Sequence, residues 1–179
     1  GNNHKITTSP NSAIIAGSGI TISGGSNNFA GTGISLSITS SSDCAVVAGG
    51  GNRIESSVRS FIGAGNFVVI TSSDRAAIVS GDDCSLTNSF RSFIGTGLRS
   101  RLTSSGLCAI VTGIEDIIVS STQSIIGSGS GNNITGCTRV GIIAGINNRM
   151  ESVTDGFIAA GNGNRMTNSL YSAIITGLN

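Results

Sequence analysis

Glycine recurs at every sixteenth residue from Gly1 to Gly177 without one shift in register. The 179 residues therefore divide into eleven repeats of sixteen residues and three further residues. A repeat of this length is one structural unit that buries its apolar surface only by stacking on its neighbours. We number the sixteen columns of the repeat from this glycine.

Two apolar columns indicate two short strands per repeat. Column 6 is aliphatic or Met throughout, and column 14 is Ile in all repeats except those with Ala30 and Val46. β-Branched residues flanked by Gly, Ser and Asn are typical of strands and turns, and this Gly and Ser density disfavours helices. The sequence predicts an all-β fold, a parallel β-solenoid (β-roll) of eleven 16-residue rungs spanning residues 1–179 as a single domain.

Two further columns are predicted to shape or cap the backbone of this solenoid. The invariant glycine of column 1 predicts a corner where the backbone needs positive φ or where no side chain fits. Asn is frequent in column 4, which predicts an inward ladder or a turn cap; its members there are Asn52, Asn132, Asn148 and Asn164.

Composition and charge exclude several function classes. The net charge is +1, aromatic residues make up 4% of the chain, Trp is absent and His4 is the single histidine. Electrostatic capture of nucleic acid or membranes and stacking on single strands are therefore disfavoured. No stretch approaches the roughly 18 consecutive apolar residues of a membrane span. We expect no enzyme activity, no cofactor or metal, no nucleic-acid binding and no membrane contact by this segment.

The four cysteines are predicted to be small buried hydrophobes rather than a disulfide or metal set. Cys44 and Cys108 share column 12, while Cys84 and Cys137 occupy columns 4 and 9. The two in one column lie four rungs apart, about 19 Å at the spacing of β-strands. That distance is too long for a disulfide.

The two strands of the repeat differ in a way that predicts self-assembly. Around column 6 the pattern is polar, apolar, polar, as in Arg53-Ile54-Glu55, which indicates a strand with one solvated face. Around column 14 three consecutive residues are apolar or small, as in Ala77-Ile78-Val79, which predicts burial on both faces. The roll itself covers one of these faces, so another molecule must cover the second.

Columns 13 and 15 share this second face, and the large side chain alternates between them from rung to rung. Ala13 with Ile15 is followed by Phe29 with Gly31, so that the structural unit is 32 residues. Alternation at roughly constant volume is what close packing across a shared axis requires. The residues predicted to pack on a trimer axis are Phe29, Val47, Phe61, Val79, Phe93, Val111, Ile125, Ile143, Phe157 and Ile175.

An exposed stripe of these residues would exceed the apolar patch of a few hundred Å² that monomers tolerate. Identical copies around one axis would bury it. We expect a homotrimer, a choice that rests partly on the family resemblance given below, and the structural alternative is a dimer packed back to back.

Three groups of polar residues are candidate binding or catalytic sites. Arg59, Arg75 and Arg91 are consecutive in column 11 and form a possible anion-binding stripe for acidic glycans or a solvated ladder, offset by Asp43 and Asp74. The Thr-rich column 7 lacks the second rank of an ice-binding lattice, because column 5 is mixed. The acidic pairs Asp82-Asp83 and Glu115-Asp116 lie at predicted corners, where Asp forms turns.

The repeats resemble the head domains of trimeric autotransporter adhesins (YadA-like β-rolls) and are similar to segments of phage and large-virus fibre proteins. The resemblance covers every rung and is carried by the segments Ser60-Phe61-Ile62-Gly63-Ala64-Gly65, Ser92-Phe93-Ile94-Gly95-Thr96-Gly97, Asn148-Arg149-Met150 and Asn164-Arg165-Met166. It implies a left-handed homotrimeric roll, extracellular on a cell or virion surface.

Two functions are therefore expected of a fragment cut from a longer fibrous protein. One is a non-catalytic adhesive fibre segment that attaches to a host receptor or glycan. The alternative is a phage or virus fibre that acts as a rigid spacer or receptor-binding shaft. Binding of glycans or cells by the segment alone would distinguish adhesion from an inert spacer.

Overall fold

The structure, a computed structural model, describes residues 2–178, which form a parallel β-solenoid of eleven turns without helices. Each turn contributes two strands, the second of which is longer in all turns except two, and equivalent strands of successive turns pair into two eleven-stranded sheets. We call these the narrow sheet and the broad sheet. The predicted fold class, the rung length and the two strands per rung are confirmed.

The narrow sheet is built from the column 5–7 strands. They are β1 (Lys5–Thr7), β3 (Thr21–Ser23), β5 (Ser37–Thr39), β7 (Arg53–Glu55), β9 (Val69–Thr71), β11 (Ser85–Thr87), β13 (Arg101–Thr103), β15 (Ile117–Val119), β17 (Asn133–Thr135), β19 (Arg149–Glu151) and β21 (Arg165–Thr167).

The broad sheet is built from strands that begin near column 13 and mostly continue into column 2 of the next repeat. They are β2 (Ala13–Ser18), β4 (Phe29–Ile34), β6 (Ala45–Gly50), β8 (Phe61–Ile62), β10 (Ala77–Asp82), β12 (Phe93–Leu98), β14 (Ala109–Ile114), β16 (Ile125–Ile126), β18 (Thr138–Ile142), β20 (Thr154–Asn162) and β22 (Ala173–Leu178).

All pairings are parallel with a register of sixteen residues, so each column stacks on itself along the solenoid axis. Ile78 of β10, for example, pairs with Ile62 and Ile94 in the neighbouring strands. Isolated bridges such as Val58–Asp74 and Asn66–Asp82 extend the stacking beyond the strands. The repeat period of the sequence is therefore the hydrogen-bond register of both sheets.

The core lies between the two sheets and is filled by columns 6 and 14. Ile78 of the broad sheet and Leu86 of the narrow sheet are fully buried, as are their equivalents in most turns. Burying one such side chain contributes about 1.5–3 kcal/mol. Stacks of Ile, Leu, Val and Met at these columns thus supply most of the hydrophobic stabilisation of each turn.

Each turn changes direction at three residues in the left-handed backbone region, in columns 3, 8 and 11. In the fifth repeat these are Phe67 (φ 54°), Ser72 (φ 51°) and Arg75 (φ 55°). A non-glycine residue in this region costs roughly 1–2 kcal/mol. The residue that follows each corner points into the solenoid, which accounts for the buried polar columns 4, 9 and 12.

Serine side chains in column 9 replace the backbone partners that are lost at the corners. The Ser73 amide donates to Ser57 Oγ of the preceding turn (3.2 Å), and Ser73 Oγ donates to the Thr71 carbonyl (2.9 Å). The same pattern recurs at Ser89 and Ser105. A buried amide without a partner costs about 1–3 kcal/mol, so this ladder stabilises every turn that carries it.

The prediction that column 1 forms a corner is wrong, because glycines such as Gly17, Gly33 and Gly97 lie within the broad-sheet strands. The other reason given for this glycine, lack of room, is confirmed. A Cβ on Gly17 would lie 2.1 Å from the Gly33 carbonyl oxygen of the next turn. The predicted positive φ is also confirmed in about half of the turns, at Gly17 (129°), Gly49, Gly65, Gly129, Gly145 and Gly161. Column 1 therefore excludes side chains because adjacent turns approach too closely and, in these turns, because of the backbone conformation.

Candidate interaction face

The outer face of the broad sheet is a continuous apolar strip, which we call the seam, and it consists of columns 13 and 15. Phe61 is 38% exposed, Val79 44% and Ile143 53%. Phe93 is half-buried. All ten residues predicted to pack on an axis lie on this face, and in the single chain nothing covers them.

The size alternation makes the seam flat. A Cβ on Gly63 would lie 3.3 Å from the Phe61 ring, and one on Gly95 would lie 3.2 Å from the Phe93 ring. Each Phe ring therefore leans along its own strand over the glycine two residues later. The large side chain of one column fills the space left by the small residue of the other, so the face is flat enough to meet another flat face.

The outer face of the narrow sheet is polar. Its columns 5 and 7 carry Thr, Ser, Arg and Glu, with ion pairs such as Arg149–Glu151 (3.1 Å) and Arg53–Glu55. Exposed pairs of this kind contribute about 0–1 kcal/mol. The prediction of a strand with one solvated face holds for this sheet.

The column 11 arginines line the corner that precedes the broad-sheet strands. Arg59 and Arg75 both approach Asp74, at 2.9 and 3.8 Å, as predicted for an offsetting carboxylate. Asp43 instead accepts a hydrogen bond from Asn27 Nδ2 (2.8 Å). Arg91 is exposed, and no ion pair involves it among residues 2–178. The predicted anion stripe is thus partly neutralised within the chain.

The column 4 asparagines form the predicted inward ladder. Asn132 and Asn148 are fully buried, and the Asn148 amide nitrogen donates to Asn132 Oδ1 (3.0 Å). The Nδ2 of each donates to a glycine carbonyl thirteen residues later, Gly145 (2.9 Å) and Gly161 (3.0 Å). Each asparagine therefore bridges two adjacent turns.

Asp116 continues this ladder, and its burial contradicts the prediction that it sits at a corner. Glu115 is the corner residue (φ 57°), while Asp116 is fully buried. Its Oδ1 accepts from the Asn132 amide (2.8 Å), as an asparagine oxygen would, whereas its Oδ2 has no hydrogen-bond partner. Loss of solvation raises the pKa of Asp116 above its ordinary value. The frequency of Asn in column 4 was the sequence signal for this position.

The four cysteines are buried free thiols, as predicted. Cys44 Sγ donates to the Ser42 carbonyl (3.2 Å) and Cys108 Sγ to the Gly106 carbonyl (3.3 Å). Both cysteines take the place of column 12 serines such as Ser60, whose Oγ donates to the Val58 carbonyl (3.1 Å). Burial raises the pKa of each thiol. These thiols fill space inside the solenoid.

Within residues 2–178, no three His, Cys, Asp or Glu side chains lie close enough together to hold a metal ion. A shallow hollow lined by Ala160, Gly161, Thr176 and Gly177 lies at the last turn. That part of the chain also contains no helix able to cross a membrane.

No family model and no curated protein sequence matches the chain. Solved structures do match, among them a protein of Desulfovibrio desulfuricans G20 named provisionally as an acetyltransferase. It is 10% identical with a TM-score of 0.34, and the match covers 96% of this chain and 59% of that protein. At this level of similarity the match carries no argument about activity.

Proposed function

We propose that the chain is a non-catalytic segment of a left-handed, homotrimeric fibre, located extracellularly on a cell or virion surface and mediating attachment. The observation that carries the proposal is the seam, an apolar face that runs along the whole broad sheet and is uncovered in a single chain. Soluble monomers rarely expose such a patch unless it serves for binding. The handedness and the surface location follow from the family resemblance.

The size of the broad-sheet face suits a stable assembly of identical chains. Strands of six residues span about 20 Å, and eleven strands extend about 50 Å along the axis. The broad-sheet face of each chain therefore covers roughly 1,000 Å², and the apolar seam between columns 13 and 15, about 10 Å wide, makes up about half of it. Standard stable interfaces bury ~800 Å² per partner. Because the face is uniform along the axis, identical parallel copies match it better than an unrelated globular partner would.

The width of the strands favours three chains over four. Three sheets about 20 Å wide, arranged as a triangle, place each backbone about 6 Å from the shared axis. This is close to half of the ~10 Å separation of packed sheets, so the seam side chains would fill the centre. Four such sheets would place each backbone about 10 Å away and leave a channel lined by Phe and Val. Two sheets packed back to back remain the structural alternative.

The mass in solution tests the assembly. Sedimentation velocity is expected to give three times 17.8 kDa, the mass of one chain. A well-behaved single chain would overturn the assembly and with it the fibre role, and twice the chain mass would select the back-to-back dimer.

Attachment is tested separately from assembly. We expect the trimer to bind cells or an array of acidic glycans, with Arg91 as a contact, because it is the member of the column 11 stripe without an ion pair. The variant Arg91→Ser should then lose binding while keeping the trimer mass. A trimer inert towards both probes would instead support the rigid-spacer function, which the solvated outer face of the narrow sheet also favours.

A further inference from the structure

The broad sheet ends in two different edges, one on either side of the seam. The entry edge consists of columns 10 and 11, which precede each broad-sheet strand, and the exit edge consists of columns 2 and 3 at its end. We define a level as one broad-sheet strand together with the residues of both edges next to it. In a triangular ring of parallel chains, the entry edge of one chain meets the exit edge of the next.

The level of β10 carries opposite charges on its two edges. Asp74 and Arg75 lie on the entry edge, and the exposed Asp82 and Asp83 lie on the exit edge. Asp74 pairs with both Arg59 and Arg75, so two arginines and one aspartate leave this part of the entry edge with one net positive charge. In residues 2–178 neither Asp82 nor Asp83 forms an ion pair.

Arg91, one level further along, is also without an ion pair in that range, and the exit edge at its level carries Leu98 and Arg99 and no carboxylate. Arg91 is therefore not part of the charge match and stays open to an external anion. The match is between Arg75, whose contact with Asp74 is long (3.8 Å), and an acidic pair without an ion pair in residues 2–178.

The adjacent levels carry apolar residues on both edges. Val58 (40% exposed) and Phe67 (67%) lie on opposite edges of the β8 level, and Leu107 (47%) and Ile114 (47%) on those of the β14 level. At the β12 level, Phe90 lies opposite the half-buried Leu98. Three levels thus match apolar with apolar, and one matches positive with negative.

Two of these apolar residues occupy corners that disfavour them. Phe67 (φ 54°) and Leu107 (φ 58°) have left-handed backbones although bulky residues rarely adopt them. The Phe67 ring lies over Gly51 of the preceding turn, where an added Cβ would be 2.9 Å from the ring, and two thirds of the side chain is exposed. An exposed phenylalanine at a strained corner gains little within one chain, and contact with a neighbour would offset its cost.

We propose that neighbouring copies pack parallel and in register, the entry edge of each against the exit edge of the next, with Arg75 facing Asp82 and Asp83. This deepens the proposed trimer and rests on it. The charges set the register, because a like-charged contact costs several kcal/mol and a matched one is favourable. The apolar pairs at the adjacent levels extend the seam around the ring.

A shift of one level would break this matching. In one direction Phe67 would meet Asp43, and in the other it would meet Asp74 and Arg75, so an apolar ring would desolvate charged groups in either case. In-register packing avoids both. Arg99 and Arg139 do not oppose it, because they pair within the chain with Glu115 (2.7 Å) and Asp155 (2.7 Å).

Cysteine cross-linking with a short bismaleimide tests the contact in the full chain. The variant Arg75→Cys/Asp82→Cys is expected to give a covalent trimer on a denaturing gel, because each chain links to the next around the ring. Either single variant should stay monomeric on the gel. The matched control Arg75→Cys/Ser130→Cys places the second thiol three levels away, about 14 Å along the axis, and should not cross-link efficiently.

Charge exchange provides a second measurement that does not depend on cross-linking geometry. Arg75→Asp and Asp82→Arg/Asp83→Arg should each raise the dissociation constant of the trimer about tenfold or more, since close charge pairs couple by about 1.5–7 kcal/mol. The combined triple variant restores opposite charges and should return the constant to near the original value.

The outcomes separate this contact from the trimer itself. A wild-type trimer that neither cross-links at residues 75 and 82 nor recovers in the triple variant overturns the edge contact and leaves the proposed function standing. A wild-type monomer overturns the proposed function. A covalent dimer keeps the parallel edge contact but overturns closure by three chains.

Discussion

The two sheets of this solenoid share an interior but differ on their outer faces. The broad sheet carries Phe, Val and Ile in columns 13 and 15, whereas the narrow sheet carries Thr, Ser, Arg and Glu in columns 5 and 7. On their inner faces both present fully buried aliphatic stacks. One repeat of sixteen residues therefore builds a solvated outer face on one sheet and an apolar outer face on the other.

This difference shows that an apolar outer face is not needed to fold the turn. The narrow sheet pairs with the same sixteen-residue register and the same buried inner column while its outer face is solvated. The proposed assembly assigns the apolar residues of the seam a role outside the single chain. Matched substitutions on the two sheets separate the contribution of each face to folding from its contribution to assembly.

The largest effect is expected from carboxylates on the seam. Phe61→Asp/Phe93→Asp should reduce the particle from three chains to one while the β-sheet circular dichroism is retained, because burying unpaired carboxylates opposes assembly. The matched variant Thr71→Asp/Thr103→Asp puts the same charges on the narrow sheet and should leave the mass unchanged. Sedimentation velocity of both variants measures this, and equal masses would show that the faces do not differ in role.

The inner faces are expected to respond alike. Ile78→Ala on the broad sheet and Leu86→Ala on the narrow sheet each remove a fully buried side chain, at a cost of about 2–5 kcal/mol. Ile78→Val should cost only about 0.5–1.5 kcal/mol. Denaturant unfolding at one chain concentration gives these values. A cost confined to one sheet would show that the interior is not a single core.

Asp116→Asn is expected to stabilise the chain at neutral pH by about 1–3 kcal/mol, the cost of an unsatisfied buried polar group. An asparagine side chain would place its Nδ2 where Oδ2 now stands, so that it could donate to the Gly129 carbonyl thirteen residues later. Because burial raises the pKa of Asp116, the folded state loses stability as pH rises from the ordinary aspartate pKa of about 3.9 through the raised value.

The advantage of Asp116→Asn should therefore disappear at acidic pH, where the wild-type carboxyl is protonated in both folded and unfolded chains. Unfolding of both proteins between pH 3 and pH 8 tests the sign, and comparison at each pH cancels other titrating groups. An advantage that is constant with pH would contradict the assignment.

The smallest effect is expected from the ion pairs of the narrow-sheet face. Glu151→Gln removes the contacts with Arg149 (3.1 Å) and Arg165 (3.5 Å), all three side chains being about a third or more exposed. Solvent screening limits the loss to less than about 1 kcal/mol, falling further at high salt. A larger loss would indicate that this face is covered in the assembly.

Residue patterns predicted the sheets, the ladder and only part of the corners. Columns 6 and 14 are predicted to face inward because their apolar character persists in every turn, and column 4 because Asn recurs there. The column 3 corner was predicted at the acidic pairs, and Asp83 (φ 54°) and Glu115 (φ 57°) confirm it. The column 11 corner escaped because it holds residues such as Arg75 and Leu107 and never glycine. The signal for these two corners is an absence: columns 3 and 11 contain no Val, Ile or Thr, which tolerate the left-handed region poorly.

The seam could be predicted from the sequence because an apolar residue on both faces of a strand is visible in the order of residues alone. For Asp116 the one sequence signal was its place in the Asn-rich column 4, and two neighbouring acidic residues do not themselves show which side chain turns inward. Only the position of Glu115 at the corner sends the next side chain inward, towards Asn132 of the following turn.

The sequence by itself determined the length of the turn, the number of turns and the columns that face the core. Parallel strands stack equivalent residues, so the register of the strands appears in the sequence as its repeat period. Tertiary structure decided where the backbone reverses, which acid is buried and which residues of a level lie on opposite edges of the broad sheet. These depend on carbonyl and amide groups of adjacent turns, whose positions exist only once the turns are stacked.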